Sequence, residues 1–169
     1  NSQKGNNNAW CQDNRIGWVN WNNGKEGEEL LAFVKQLIQF RKSHPVLHGA
    51  KELRLMDYLG AGCPDLSYHS QRAWFSQMEN TCRFIGVMYC GDYARRGDGE
   101  PDDYLYVGYN MHWNPHELAL PSLPEKRVWR KTFDTDREES FLGEAAEIVE
   151  GKSIRVAPRS IVILVGRQA

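Results

Sequence analysis

Five aspartates, Asp57, Asp65, Asp92, Asp134 and Asp136, are by residue type the first candidates for chemistry in this chain. Two carboxyl groups held about 5–5.5 Å apart, or somewhat farther, can cleave a glycosidic bond when the environment keeps one of them protonated. Each of these five, however, stands beside turn residues or at an expected strand end, where an aspartate commonly bonds its own backbone. No catalytic pair can be nominated from them. His112 and His116 are spaced i,i+4, a zinc-binding spacing on a helix, but Pro115 between them interrupts any helix and no third ligand is evident. The expectation is a β-turn with partly exposed imidazoles, with no metal and no cofactor.

Aromatic rings are platforms for sugar rings, which makes Trp74, Trp113 and Trp129 candidates for carbohydrate contact, although Trp in a β-rich domain more often fills the core or anchors a turn. The opening segment concentrates planar donors and acceptors suited to sugar hydroxyls in Asn6, Asn7, Asn8, Gln12, Asp13 and Asn14. Taken by itself, a polar stretch of this kind reads equally as a solvated terminus.

The elements that must position these groups follow from periodicity. Residues 1–25 are polar, rich in Asn and Gly, and carry Trp10, Trp18 and Trp21 without a clear helix or strand signal, so a long loop is expected. From Glu26 to Ser43 the apolar residues fall in helical rows, Leu30, Val34, Leu37 beside Phe33, Leu37, Phe40. Glutamates open that helix and Arg41 and Lys42 close it, as the helix dipole favours, and Pro45 stops it. Beyond Val46 short strands take over. Cys82–Cys90, Tyr104–Tyr109 and Ile161–Val165 are apolar on both faces and belong in the middle of a buried sheet. Arg127–Phe133 alternates, Glu117–Leu120 before Pro121 reads as an edge strand, and Gly91–Asp103 reads as a mobile loop. The expected fold is mainly β: an antiparallel β-sandwich of about seven or eight strands, preceded by a loop and one α-helix.

Composition agrees with a folded domain. Of 169 residues 41% are hydrophobic and 25% charged, and a compact chain of this size buries roughly 70% of its unfolded surface. Twenty-one Lys and Arg against 22 Asp and Glu leave a formal net charge of -1, so no field draws the chain to nucleic acid or anionic lipid, and neither is expected as a partner. No apolar run approaches the ~20 residues of a membrane span. The four cysteines have no CxxC spacing, which suits free thiols in a reducing cytoplasm.

Several motifs carry a resemblance. GNNNAWCQDN (Gly5–Asn14), WVNW (Trp18–Trp21) and LLAFVKQLIQFRKSHPVL (Leu30–Leu47) resemble the end of the catalytic barrel in isoamylase-type and glycogen-debranching members of the α-amylase superfamily. DLSYH (Asp65–His69), RFIGVMYCGDY (Arg83–Tyr93) and YLYVGYNMHWNPHELALP (Tyr104–Pro121) resemble the C-terminal sandwich of the same enzymes. The resemblance implies that residues 1–46 are the eighth loop and helix of a (β/α)8 barrel and that 47–169 form the sandwich that stabilises it. It implies a parent glycoside hydrolase that cleaves α-1,6 branches of glycogen with retention, whose Asp nucleophile and Glu acid/base lie upstream of Asn1. What carries over is the loop of Asn6, Asn7, Asn8, Gln12, Asp13 and Asn14, bordering the substrate cleft, with Trp10 where the family often has Tyr. Three roles are distinguishable: an inactive fragment of a debranching enzyme, a carbohydrate-binding sandwich, or a protein-interaction domain. A branched α-glucan is the expected partner, through the barrel, and the helix face, deprived of barrel strands, is expected to be covered either by the chain's own sandwich or by the same helix of a second copy.

Overall fold

The computed structural model describes residues 5, 9–22, 24–124 and 126–168. The chain forms two compact units, Asn1–Leu37 and Ile38–Ala169.

The helix α1 runs from Gly24 to Ser43, two residues longer at its start than the periodicity predicts. Glu26 lies in its first turn and Arg41 and Lys42 in its last, each sign opposite to the helix-end charge it meets. Past it, Pro45–Leu47 makes a single tight turn whose first residue is the proline. Eight strands follow: β1 (Leu66–His69), β2 (Phe84–Tyr89), β3 (Tyr104–Asn110), β4 (His116–Ala119), β5 (Arg127–Asp134), β6 (Glu147–Ile148), β7 (Ser153–Val156) and β8 (Ser160–Gln168). They build a six-stranded sheet in the order β1-β2-β3-β8-β5-β6 and a two-stranded sheet of β4 and β7, every pairing antiparallel. The fold is thus mainly β, with one helix ahead of antiparallel sheets.

The doubly apolar strands β2, β3 and β8 are adjacent at the centre of the large sheet, and each of its faces is covered. On one face Met88, Tyr104, Tyr106, Trp129, Val162 and Leu164 pack with Leu118 of β4 and Val156 of β7 in a single buried cluster. On the other, Leu105 and Val165 pack with Val46, Phe40 and Leu47, so the end of α1 and the turn after it cover part of that face. Phe40 also meets Phe141, whose ring stands edge-on to Phe133.

Two glycines opposite one another make the close approach of the layers possible. Gly86 pairs with Gly108 across β2 and β3. A Cβ on Gly86 would lie 1.9 Å from the hydroxyl oxygen of Tyr106, and one on Gly108 would crowd Val162, Leu118 and Val156 at 3.0–3.3 Å. Tyr106 uses the space to lie between the layers and donates its hydroxyl hydrogen to Ala119 O of β4 at 3.1 Å.

The segment Gly91–Asp103, expected as a mobile loop, is knit in place instead. Backbone bonds join Arg96 N to Glu100 O, and Asp102 N to Gly91 O and Ala94 O, while Asp102 and Asp103 are buried at its end. The acidic, glycine-rich composition hid this, because the two terminal carboxylates are used inside the protein rather than solvated.

Candidate functional site

The amide-rich loop lies in the first unit. Asn6, Asn7 and Asn8 lie outside the described residues. Gln12, Asp13 and Asn14 are described, are exposed, and form one small hydrogen-bonded turn. Asn14 donates its side-chain amide to Gln12 Oε1 at 3.2 Å and accepts Ile16 N on Oδ1 at 2.9 Å. Its carbonyl caps the turn by accepting Gly17 N and Trp18 N. Asp13 accepts the indole N–H of Trp18 at 2.6 Å. The turn therefore fixes a carboxylate against Trp18, and Trp10, Trp18 and Trp21 are all exposed. An array of exposed amides, one carboxylate and indole rings has the donor, acceptor and stacking chemistry that sugar hydroxyls and pyranose faces require.

In the second unit, four of the five aspartates singled out by type, Asp57, Asp65, Asp92 and Asp134, accept donors of the fold, and Asp136 is exposed. Asp65 is fully buried at 0% exposure, and its carboxylate accepts Arg54 N, Leu55 N and its neighbour Leu66 N at 2.7–2.9 Å. It bonds backbone donors, as an aspartate beside turn residues commonly does, but from a buried position that ties the segment before β1 to the sheet. Asp92 accepts the hydroxyl of Tyr104. Asp134 is paired with the buried ammonium of Lys131 at 3.1 Å and accepts Asp136 N. Asp57 clamps a loop: its oxygens accept Ala61 N and Gly62 N at 2.9 Å and the Tyr93 hydroxyl at 2.5 Å. That hydroxyl, followed by the backbone donors, holds the Asp57 carboxyl below its ordinary range.

His44, Asp102 and Asp103 bring three donor atoms within 4.8 Å of one another, a grouping that could hold a metal ion and that no sequence spacing announced. The carboxylate of Asp102 is already committed. It accepts Val46 N at 2.9 Å and Asp103 N at 2.8 Å, and faces His44 Nδ1 at 3.1 Å. Burial would raise this carboxyl, but the bonds from His44, Val46 and Asp103 outweigh it and hold it low. Those donors make the cluster an anchor for the turn that ends α1.

His112 and His116 stand edge to face with centroids 4.9 Å apart. His116 opens β4 and stacks on Phe84 at 4.2 Å, and His112 Nδ1 accepts Asn114 N at 2.9 Å. Burial, with His112 beside it, pushes the His116 pKa down. His116 Nε2 is buried without a hydrogen-bond partner. The pair packs as rings at a strand start, off any helix.

The three tryptophans separate. Trp129 is buried at 5% exposure and donates its indole N–H to Pro121 O at 2.9 Å, a core residue that anchors a turn. Trp74 and Trp113 are open at 50% and 59%. The π surface of Trp113 is shared by the stacked His112 ring at 4.3 Å and the Arg83 guanidinium at 5.3 Å.

Sequence reasoning missed a groove of about 850 Å³ between the segment after α1 and the end of β2, lined by Arg41, His48, Lys51, Tyr58, Tyr89 and Tyr93 among others. Its three tyrosines are dispersed in sequence, so no spacing revealed it. It also missed Cys63 and Cys90, two buried thiols that hydrogen-bond each other; the contact raises the Cys63 thiol and lowers that of Cys90. All four cysteines are free.

An amide-rich turn and one helix, followed by antiparallel sheets, define the class, and similarity to known proteins gives it a lineage: the chain is related to the C-terminal region of glycogen-debranching enzymes. It is 24% identical over 150 residues to the glycogen operon protein GlgX homolog of Mycobacterium tuberculosis, covering 80% of this chain and 20% of that protein. Over 47 residues it is 51% identical to the glycogen debranching enzyme of Dickeya chrysanthemi, covering 28% of this chain and 7% of that enzyme. Over 76 residues it is 36% identical to the glycogen debranching enzyme of Cronobacter sakazakii, covering 41% and 11%. The chain spans about a fifth of the length of the first of these relatives, and less of the other two. No family model matches it. Among the described residues, no helix is long and apolar enough to cross a membrane.

Proposed function

We propose that this chain is a part of a glycogen-debranching glycoside hydrolase: residues 1–46 complete a catalytic (β/α)8 barrel, and residues 47–169 are a sandwich that stabilises it. The parent enzyme hydrolyses α-1,6 branches of glycogen in the cytoplasm. Asn6, Asn7, Asn8, Gln12, Asp13 and Asn14 border its substrate cleft, and the carboxylates that perform the chemistry belong to the part of the enzyme outside these residues. The observation that carries the reading is the similarity to a glycogen operon protein along 80% of this chain but only 20% of that protein.

Two features support the division of labour. Among the described residues, Asp57, Asp65, Asp102 and Asp134 are held by backbone and side-chain donors, which fits structural roles rather than that of a protonated acid beside a free carboxylate. The helix α1 has no buried residue, and Leu30, Leu31, Val34 and Ile38 are exposed on it. A helix gains most of its stability by burying such side chains, so these rows fit a surface that other parts of a barrel cover. The test is thermal unfolding of the longer enzyme with and without residues 47–169. A lower unfolding temperature of the barrel without the sandwich is expected, and an unchanged one overturns the stabilising role.

A further inference from the structure

The groove beside the end of α1 has the size and lining of a ligand site, and we propose that it binds a linear segment of α-glucan at a position separate from the amide-rich loop. The inference rests on the glycogen-debranching reading for its choice of sugar, and on the groove itself for its place. Its volume of about 850 Å³ falls in the range of roughly 300–1,000 Å³ typical of ligand sites.

One wall is aromatic and already fixed. Tyr93 donates its hydroxyl to Asp57, with Cys63 O 3.0 Å from the same oxygen, Tyr58 stands edge-on to Tyr93 with centroids 4.7 Å apart, and the Arg54 guanidinium lies 4.7 Å from the Tyr58 centroid. Tyr89, half-buried, extends the same wall. Rings held in advance lose little freedom on binding, which is the condition for a weak ligand such as a neutral sugar to be retained. Arg41, Lys51, Glu52 and Arg95, all exposed, also line the groove and offer N–H donors and one carboxylate acceptor to hydroxyls while staying hydrated. A pyranose presents an apolar C–H face and a rim of hydroxyls, and this wall and this rim match the two. Trp113 is more exposed than Tyr58, but His112 and Arg83 already use its π surface.

The same segment also exposes Leu55, Met56 and Leu59, which do not line the groove; a protein partner would use those residues, and the variants below separate the two. The experiment is titration of the 169-residue chain with maltoheptaose, followed by NMR. Saturable shifts at Tyr58, Tyr89 and Tyr93 are expected. Tyr58→Ala should weaken binding about three- to tenfold, the loss of one aromatic contact, while Tyr58→Phe and Leu55→Ala leave it unchanged. Absence of saturable shifts, or binding that survives both Tyr58→Ala and Lys51→Ala/Arg95→Ala in chains whose spectra remain folded, overturns the proposal. So does displacement of the glucan by inorganic phosphate, which would assign the groove to an anion. If the longer enzyme debranches glycogen while the groove stays silent, the groove inference alone fails. If the longer enzyme acts on no branched glucan, the reading beneath it fails instead.

Discussion

Nδ1 of His69 accepts the backbone N–H of Trp74 at 2.8 Å, while Nε2 of the same fully buried ring lies 2.9 Å from Ser67 Oγ. The first bond requires an unprotonated Nδ1, so the network assigns the proton to Nε2, which donates to Ser67. Trp74 stands in the left-handed region at φ 63°, an unusual conformation for a residue with a side chain, and its ring meets His69 edge-on at 5.1 Å. A neutral imidazole thus holds a strained, half-exposed tryptophan in place.

Burial pushes the pKa of His69 down to about 4 from 6.5. Because the folded value is the lower one, the unfolded chain binds more protons between them, and stability rises with pH across that window. The contribution is complete above pH 6.5 and disappears as the pH falls toward about 4, where its loss reaches up to about 3 kcal/mol. Urea unfolding measured from pH 7 to pH 4 checks this. His69→Gln should flatten the slope, and an equal slope in the variant would assign the acid sensitivity to other groups.

Gly86→Ala should be strongly destabilising, since its new Cβ would lie 1.9 Å from the Tyr106 hydroxyl. Overpacking of this kind costs typically about 1–3 kcal/mol or more. Tyr106→Phe removes only the bond to Ala119 O and should cost about 1 kcal/mol. In the double variant the Gly86→Ala penalty should shrink, because the atom nearest the clash has gone, and strict additivity of the two costs would contradict the packing described.

Asn110 joins three strands' ends: its amide nitrogen lies 2.9–3.1 Å from the carbonyls of Asn114, Val156 and Ala157, and its Oδ1 accepts His112 N. Asn110→Asp would aim a buried carboxylate at three carbonyl oxygens. It should cost several kcal/mol and exceed Asn110→Ala, which removes the amide donors and the acceptor of His112 N without introducing a charge, roughly 1–3 kcal/mol. Denaturant midpoints of the two variants decide the order.

The open rows of α1 should drive self-association of the 169-residue chain. Leu30 and Val34 are exposed at 62% and 41%, and covering such side chains is worth up to about 1.5–3 kcal/mol each. Light scattering on a size-exclusion column should show an oligomer that Val34→Asp dissociates. A monomeric parent chain would remove self-association as the fate of these rows.

The helix and five of the eight strands were legible in the sequence because their cause is local periodicity, and the central place of β2, β3 and β8 followed from their having no polar face. The short strands β1, β6 and β7 carried too few residues for a period to show. Contiguous polar chemistry, as in Gln12, Asp13 and Asn14, can be read directly from a sequence, whereas contacts between distant segments cannot. The groove joins Arg41, Tyr58 and Tyr93, and the helix anchor joins His44 to Asp102, across more than fifty residues in the second case. Pairings of that kind exist only once the sheet has formed. The backbone bonds of Asp65 follow its turn-like neighbourhood, but neither its burial nor that of Asp102 shows in residue type, because both depend on segments brought in from elsewhere in the chain.

Under the proposed function, the carboxylates that cleave α-1,6 linkages lie outside this chain. Release of reducing ends from a branched limit dextrin should therefore be compared between the purified 169-residue chain and a longer polypeptide that carries the same residues behind a catalytic barrel. Release at the blank level is expected for the chain, and clear loss of α-1,6 linkages with the longer protein. Turnover by the chain alone, or a folded longer protein that leaves every branch intact, would contradict the proposed function.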